Sequence, residues 1–235
     1  MTYAQRQDNR KFNEMRPIEA KVGVIKRADG SAYFKIGNTS AYAAVYGPRN
    51  LHPKFLQDPQ RGILRCNYNM MPFSGTGDRV KPGGNRRSKE ISLVSGKALL
   101  PVLDLEEYPN SVVDVFIELP QTEAGSRCAG ICAASMALAD AGLIMKDLVC
   151  AVSVGKVGDK LVVDLDSSEE SFEEGSTDMP VAILPNLDKV TLMQMDGQIT
   201  KSELKELLSM AREACIKIYE IQKKALKEKY VIEDA

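Results

Sequence analysis

The chain has 235 residues, 44% hydrophobic and 27% charged, with a formal net charge of −1. That length buries a substantial core as one large or two small domains, and the composition is that of an ordinary globular protein. The near-neutral total excludes a bulk basic surface for nucleic acid, so an anion site has to be local, built from clustered arginine and lysine.

The five cysteines are odd in number and lack C-x-x-C spacing, and His52 is the only histidine. A zinc site therefore lacks ligands, and reduced, mostly buried thiols of a cytoplasmic protein are expected. The most apolar window, around residues 131–144, is interrupted by Ser135 and Asp140 and is too short to span a bilayer. The polar start "MTYAQRQDNRKFNEMRP" is not expected to be a signal peptide, and no membrane partner is expected.

Residues 1–15 read as a polar N-terminal arm, 16–230 as the folded domain and 231–235 as a tail. "IEAKVGVIKRADGSAYFKIGNTSAYAAVYGP" alternates as a strand meander, with turns at Asp29-Gly30 and Gly37-Asn38. "GILRCNYNMMPFS" predicts a strand over residues 63–71, with Arg61 and Arg65 along it. "GTGDRVKPGGNRRSKEIS" is a Gly, Pro and basic loop running into a helix over residues 86–103, on which Ile91, Val94, Ala98 and Leu99 follow helical spacing. "SVVDVFIEL" is a strand, followed by a helix of small apolar residues over 125–141.

"LVCAVSVGKVGDKLVVDLD" reads as a hairpin turning at Gly158-Asp159. The acidic insert "SSEESFEEGST" leads into "DMPVAILP" and "KVTLMQMDG", two strands with a turn over 186–189. Residues 201–230 form a long amphipathic helix capped by Thr200 with Glu203, its charged end "IQKKALKEKY" expected to be solvated. This order predicts a mixed α/β (α+β) domain with antiparallel pairings, not a doubly wound parallel sheet.

Three places are candidates for chemistry. Gly125-Ser126-Arg127 opens a helix, where free N–H groups and the positive dipole end favour an anion. Glycine permits close approach, serine adds a donor, and arginine offers a fork matched to phosphate oxygens. The same residues also suit a plain cap with a solvent-facing arginine. Arg86-Arg87, near Arg79, Lys81 and Lys89, fit either a backbone-tracking nucleic-acid contact or a solvated loop. A lone carboxylate at a strand entrance, as Asp178 is, is more often a turn residue than a catalyst. Combined with a phosphate cradle and paired arginines, it completes what phosphoryl transfer needs: positioning, charge neutralisation, and a proton or metal handler.

"NRRSKEIS", "QTEAGSRCAGICAASMALADAG" and "STDMPVAILP…VTLMQMDGQIT", in this order, resemble the arginine loop, Gly-Ser-Arg phosphate site and Asp-Met motif of the RNase PH family of phosphate-dependent 3′→5′ exoribonucleases. The early "RPIEAKVGVIKRADGSAYFKIGNTSAYAAVYGP" and the late "KALKEKY" extend the resemblance from Arg16 to Tyr230. Asp-Met-Pro with the ending "ALKEKY" is most similar to the catalytic RNase PH-like branch of archaeal exosomes, whereas bacterial members usually carry Asp-Met-Asn. The resemblance implies a single α/β domain of duplicated βαβ-like halves, related to the second domain of ribosomal protein S5. It also implies a hexameric ring shared with an inactive paralogue, under a cap of S1- and KH- or zinc-ribbon-containing subunits.

Roles follow from the resemblance. Arg127, Ser126 and the Gly125 backbone would hold inorganic phosphate, the co-substrate and nucleophile. Arg86 and Arg87 would hold the phosphates of the RNA 3′ end, and Arg61 and Arg65 would line the RNA path. Asp178 would be the general acid, or hold a Mg²⁺ that serves as one. Where the family usually has a second aspartate, six residues before the Asp-Met motif, this sequence has Phe172; Glu170, Glu173 or Glu174 would stand in for that carboxylate. The implied function is phosphorolysis of RNA 3′ ends to nucleoside diphosphates. Its alternatives are a non-catalytic, RNA-guiding ring subunit and a homohexameric tRNA 3′-processing enzyme. The presence of Asp178, Arg86, Arg87 and Arg127 favours the catalytic subunit, and Asp-Met-Pro argues against the homohexamer.

Overall fold

Alternating apolar and polar side chains build the first sheet from an antiparallel meander of β1 (Ile18–Val22), β2 (Gly30–Ile36) and β3 (Thr39–Asn50). The structure, a computed structural model, describes residues 3–75, 79–172 and 175–231. Ile36 faces Thr39 across a two-residue turn at Gly37-Asn38, with Gly37 at φ 55°, as expected. Asp29-Gly30 is not the other turn. Val22 pairs with Ala32, so the reversal spans residues 23–29, and Gly30 already lies inside β2 opposite Val45. Glycine is required there by packing: a Cβ would come within 2.2 Å of the Ala141 backbone nitrogen.

β4 (Ile63–Met70), α1 (Arg86–Leu99) and β5 (Ser111–Gln121) form a crossover unit. β4 lies parallel to β5, giving a five-stranded sheet of order β1-β2-β3-β5-β4. A reciprocal cap starts α1: Asn85 Oδ1 accepts the Ser88 N–H at 2.7 Å and Ser88 Oγ accepts the Asn85 N–H at 2.9 Å. The helix stops at Leu99 rather than continuing to residue 103, because Pro101 has no N–H for a further α-turn and Leu100–Val102 tightens into a 3₁₀ turn.

Nearly every residue of α2 (Ser126–Asp140) is buried, because the helix packs against strands of both sheets and has no face left for water. The second sheet has order β7-β6-β8-β9, all antiparallel: β6 (Cys150–Val157), β7 (Lys160–Val163), β8 (Ser176–Leu184) and β9 (Lys189–Met193). The β6–β7 turn is Gly158-Asp159, as the sequence indicates. β7 and β8 flank β6 and so run parallel to each other, with short α3 (Ser167–Glu170) between them, the second half's βαβ-like counterpart.

α4 (Lys201–Glu228) is capped by Thr200 and Glu203 and buries Leu207, Ala211, Ala214, Cys215 and Ile218 along one stripe. Its end is not simply solvated. Gln222 is fully buried and donates to the Cys132 and Val149 carbonyls at 3.3 and 3.2 Å, Ala225 is buried, and Lys229 pairs with Asp140. A contiguous apolar core spans both sheets, α2 and α4. Four of the five free cysteines lie within it, where burial pushes Cys132 up to about 12 and Cys128, Cys150 and Cys215 well above their ordinary value. Those thiols are packing groups. Among the described residues no helix is long and apolar enough to cross a membrane.

The residues from Tyr3 to Arg16 fold back onto the second half. Tyr3 and Phe12 join Val157, Val162, Leu165 and Phe172 in a small apolar cluster, with the Tyr3 and Phe172 rings edge-on at 5.4 Å. Phe172 therefore points into packing and not toward a reacting group.

Candidate active site

Gly125 stands before α2 at φ 66°, a left-handed conformation that glycine adopts without strain, and no side chain caps the helix. The first-turn amides have no carbonyl partner within the helix, which leaves them for a ligand. Ser126 is buried, and the half-buried Arg127 donates from Nη1 to Gln194 Oε1. Arg16 steadies the approach to this turn. Its Nε and Nη2 meet the two Asp164 carboxylate oxygens at 2.9 and 2.7 Å, and it reaches Glu123 Oε2 at 3.2 Å and the Ala124 carbonyl at 3.3 Å. One guanidinium thus ties the β7 end to the loop that delivers Gly125.

Asp178, third in β8, pairs with Gly155 of β6 and exchanges backbone hydrogen bonds of 3.0 and 2.9 Å with Asp196 on its other side. Its carboxylate accepts from the Ser153 hydroxyl, a diagonal neighbour on β6. Burial pushes its pKa up. The Ser153 hydroxyl and then the Arg127 charge pull it down, Asp196 adds to the rise and Arg87 opposes it; the net direction is up. Glu170, the last residue of α3, is raised to about 7, first by burial and then by the Asp178 charge, against the Gly125 amide, Arg87 and Arg16. Much of Glu170 meets solvent, but its carboxyl sits at the cleft mouth with protein around it.

These groups share one polar cleft of about 410 Å³, lined by Arg87, Gly125, Ser126, Arg127, Ser153, Glu170, Asp178 and Asp196, with Glu123 at its rim. The exposed Arg87 enters from the first turn of α1, while its neighbour Arg86 is exposed and does not line the cleft. Arg61 and Arg65 are not brought there. Arg61 pairs with Asp58 at 3.2 Å, Arg65 grips Asp114 at 2.7 and 2.9 Å, and both line separate hollows beside β4. Glu173 and Glu174 lie outside the described residues. Ser153, Gln194, Asp196 and Arg16 are part of the arrangement without having stood out in the sequence. Ser153 was marked only by being polar within an apolar run, and Gln194 and Asp196 sit in "LMQMDG", which reads simply as a strand end.

Among the described residues no group of three or more His, Cys, Asp or Glu converges to hold a metal ion. Asp178 alone would be available to a Mg²⁺, which commonly takes only one or two carboxylates from the protein.

The model of the 3′ exoribonuclease family, domain 1, matches residues 14–143, and that of domain 2 matches residues 147–214. The chain belongs to the RNase PH family of 3′ exoribonucleases. Exosome complex component Rrp41 of Pyrococcus furiosus is 52% identical over 227 residues, covering 97% of this chain and 90% of that protein. The protein of the same name from Methanopyrus kandleri is 50% identical over 225 residues, covering 96% and 93%. The structure of rice Rrp46 superposes with a TM-score of 0.84 at 21% identity, over 94% of this chain and all of that one, which shows the fold. A chain of the Archaeoglobus fulgidus exosome with RNA bound to the active site superposes with a TM-score of 0.76 at 25% identity, covering 97% and 93%. The RNase PH resemblance of the sequence and the α/β fold it implied are both met.

Proposed function

We propose that this chain is the catalytic, phosphorolytic subunit of an exosome ring, shortening RNA from its 3′ end and releasing nucleoside 5′-diphosphates. The observation that carries the reading is the single cleft in which an uncapped helix N-terminus and two arginines face carboxylates of raised pKa. Inorganic phosphate sits on the first-turn amides, the Ser126 hydroxyl and Arg127. Arg87, with Arg86 beside it, holds the terminal phosphodiester. A phosphate oxygen attacks that phosphorus, the P–O3′ bond breaks, and the departing 3′-oxygen takes the Asp178 proton. The upward displacement of Asp178 supports its carrying that proton, and Glu170, at about 7, is the adjoining second carboxylate. Arg87 and Arg127 neutralise charge spread over the phosphoryl oxygens. In the alternative role, an ionised Asp178 would hold a Mg²⁺ that neutralises the departing oxygen in place of the proton.

Arginines on phosphates read no base, so weak sequence preference is expected. The relatives named exosome complex components, and the similar exosome chain with RNA in its active site, support RNA as substrate and a ring as the working assembly. The partners we propose are an inactive RNase PH-like paralogue in a hexamer and a cap of S1/KH or zinc-ribbon subunits, in the cytoplasm. Product analysis tests the reading. The chain with its paralogous partner is incubated with poly(A) and Mg²⁺, with and without inorganic phosphate, and the nucleotides are separated. ADP formed only with phosphate is the expected result; AMP formed without phosphate overturns it.

A further inference from the structure

Tyr68, on β4, lies against α2 and is only 3% exposed. Its ring packs against α2 at a glycine: a Cβ on Gly130 would make ordinary contact with Cε2 at 3.5 Å and Cδ2 at 3.6 Å, and the tighter neighbour there is Ile117 Cγ2 at 3.0 Å. Gly130 is four residues beyond Ser126 and shares its helix face. The backbone N–H of Tyr68 donates to Ser92 Oγ of α1 at 2.8 Å. The Tyr68 hydroxyl is buried and has no hydrogen-bond partner among the described residues. Burial pushes the phenol up, so it stays protonated; the Ser126 hydroxyl is near enough to pull it down without meeting hydrogen-bond geometry, and the charges of Arg87 and Arg127 act in the same direction as Ser126.

A buried hydroxyl without a partner destabilises the fold, and phenylalanine would fill the same space without that penalty. The group it faces opens the anion seat. We infer that Tyr68 is a positioning residue for that seat: with phosphate bound, Ser126 turns its hydroxyl proton to the ligand and its Oγ accepts the Tyr68 hydroxyl. Each donor in such a chain polarises the next, so the phenol strengthens the contact that Ser126 makes. The inference rests on reading Gly125-Ser126-Arg127 as the phosphate seat.

Tyr68→Phe removes one oxygen and keeps the ring. Its unliganded melting temperature should equal or exceed that of the unsubstituted chain. The phosphate concentration for half-maximal rate should rise about three- to tenfold, the range of one neutral hydrogen bond, with the rate at saturating phosphate and RNA affinity held. In a Ser126→Ala background the same change should add nothing further. An unaltered phosphate dependence in Tyr68→Phe, beside a raised requirement in Ser126→Ala, overturns the inference and leaves the phosphate seat standing. A Tyr68→Phe effect that persists without the Ser126 hydroxyl also overturns it. If phosphate neither raises the melting temperature of the unsubstituted protein nor supports turnover, the seat and the inference fall together.

Discussion

Arg6 grips Glu169 through two parallel hydrogen bonds, Nε to Oε1 at 2.8 Å and Nη2 to Oε2 at 2.7 Å, with both side chains closed off from water. The Tyr3 hydroxyl adds a third donor at 2.7 Å, and Arg6 also reaches the carbonyls of Val163 and Asp164 at 2.9 and 2.7 Å. The pair therefore joins the N-terminal segment to α3, and the residue after Glu169 is Glu170 at the cleft mouth. The placement of a candidate catalytic carboxylate is tied to residues more than a hundred and sixty positions away in sequence.

Arg6→Ala should destabilise the protein by about 3–5 kcal/mol, because it leaves a buried carboxylate facing only weaker donors. Urea midpoints of the two proteins measure this directly. The same variant should lower turnover near neutral pH more than it weakens RNA binding, because the α3 turn that presents Glu170 loses its anchor. An unfolding free energy within about 0.5 kcal/mol of the original, the ordinary surface-substitution range, removes the argument.

Glu170 gives the protein a pH signature. Its folded-state pKa is raised from the usual 4.5 to about 7, so the folded chain holds that proton more tightly than the unfolded chain between those values. Stability from this residue is then greatest at low pH, falls as pH rises through the window, and is level above it. The stability–pH curve minus that of Glu170→Gln should slope downward from about 4.5 to about 7. Solvent at the cleft mouth damps its amplitude. A flat or rising difference curve contradicts the placement of this carboxyl beside Asp178.

Much of the fold was legible in the sequence because its signals are local. Gly37-Asn38, Gly158-Asp159, Thr200 with Glu203 and the small-residue run of α2 each act within a few residues of themselves. Gly30 misled because its glycine answers to α2, more than a hundred residues away, and not to a turn. Gln222 misled because one buried amide in a charged stretch leaves no periodic trace. In the site, Arg87, Gly125, Ser126, Arg127, Glu170 and Asp178 converge, yet Ser153, Gln194 and Asp196 became visible only through β6 and β8 pairing. Arg61 and Arg65 show the reverse: side-by-side strand register hands Arg65 to Asp114 of β5, a pairing that spacing along one strand does not reveal.

Asp178→Asn should cut turnover by about 10²–10⁴-fold, the usual contribution of a positioned proton donor, and leave RNA affinity within a factor of about two. The amide keeps an acceptor for the Ser153 hydroxyl, so the fold should survive; melting curves establish that before rates are compared. Single-turnover decay of a labelled poly(A) substrate is the decisive measurement. A rate close to the original assigns the proton to another group, Glu170 being the neighbour within the same cleft.

Arg127→Ala separates the two phosphates of the reaction. In the proposed arrangement Arg127 serves the attacking phosphate and Arg87 the RNA, so the Arg127 change should raise the phosphate requirement roughly ten- to hundredfold, the range of a charge-assisted hydrogen bond. RNA affinity at zero phosphate should fall far less. Arg87→Ala should show the opposite split, with RNA weakened and phosphate dependence nearly held. Arg127→Lys keeps the charge but not the planar fork, so it should fall between the original and the alanine variant. Because Arg127 also donates to Gln194, a Gln194→Ala control shows how much of the loss is orientation: a small rise in phosphate requirement is expected, as the guanidinium keeps its charge but not its fixed angle. If Arg127→Ala weakens RNA and leaves the phosphate requirement unmoved, the guanidinium belongs to the RNA subsite and the attacking anion rests on the α2 amides and Ser126 alone.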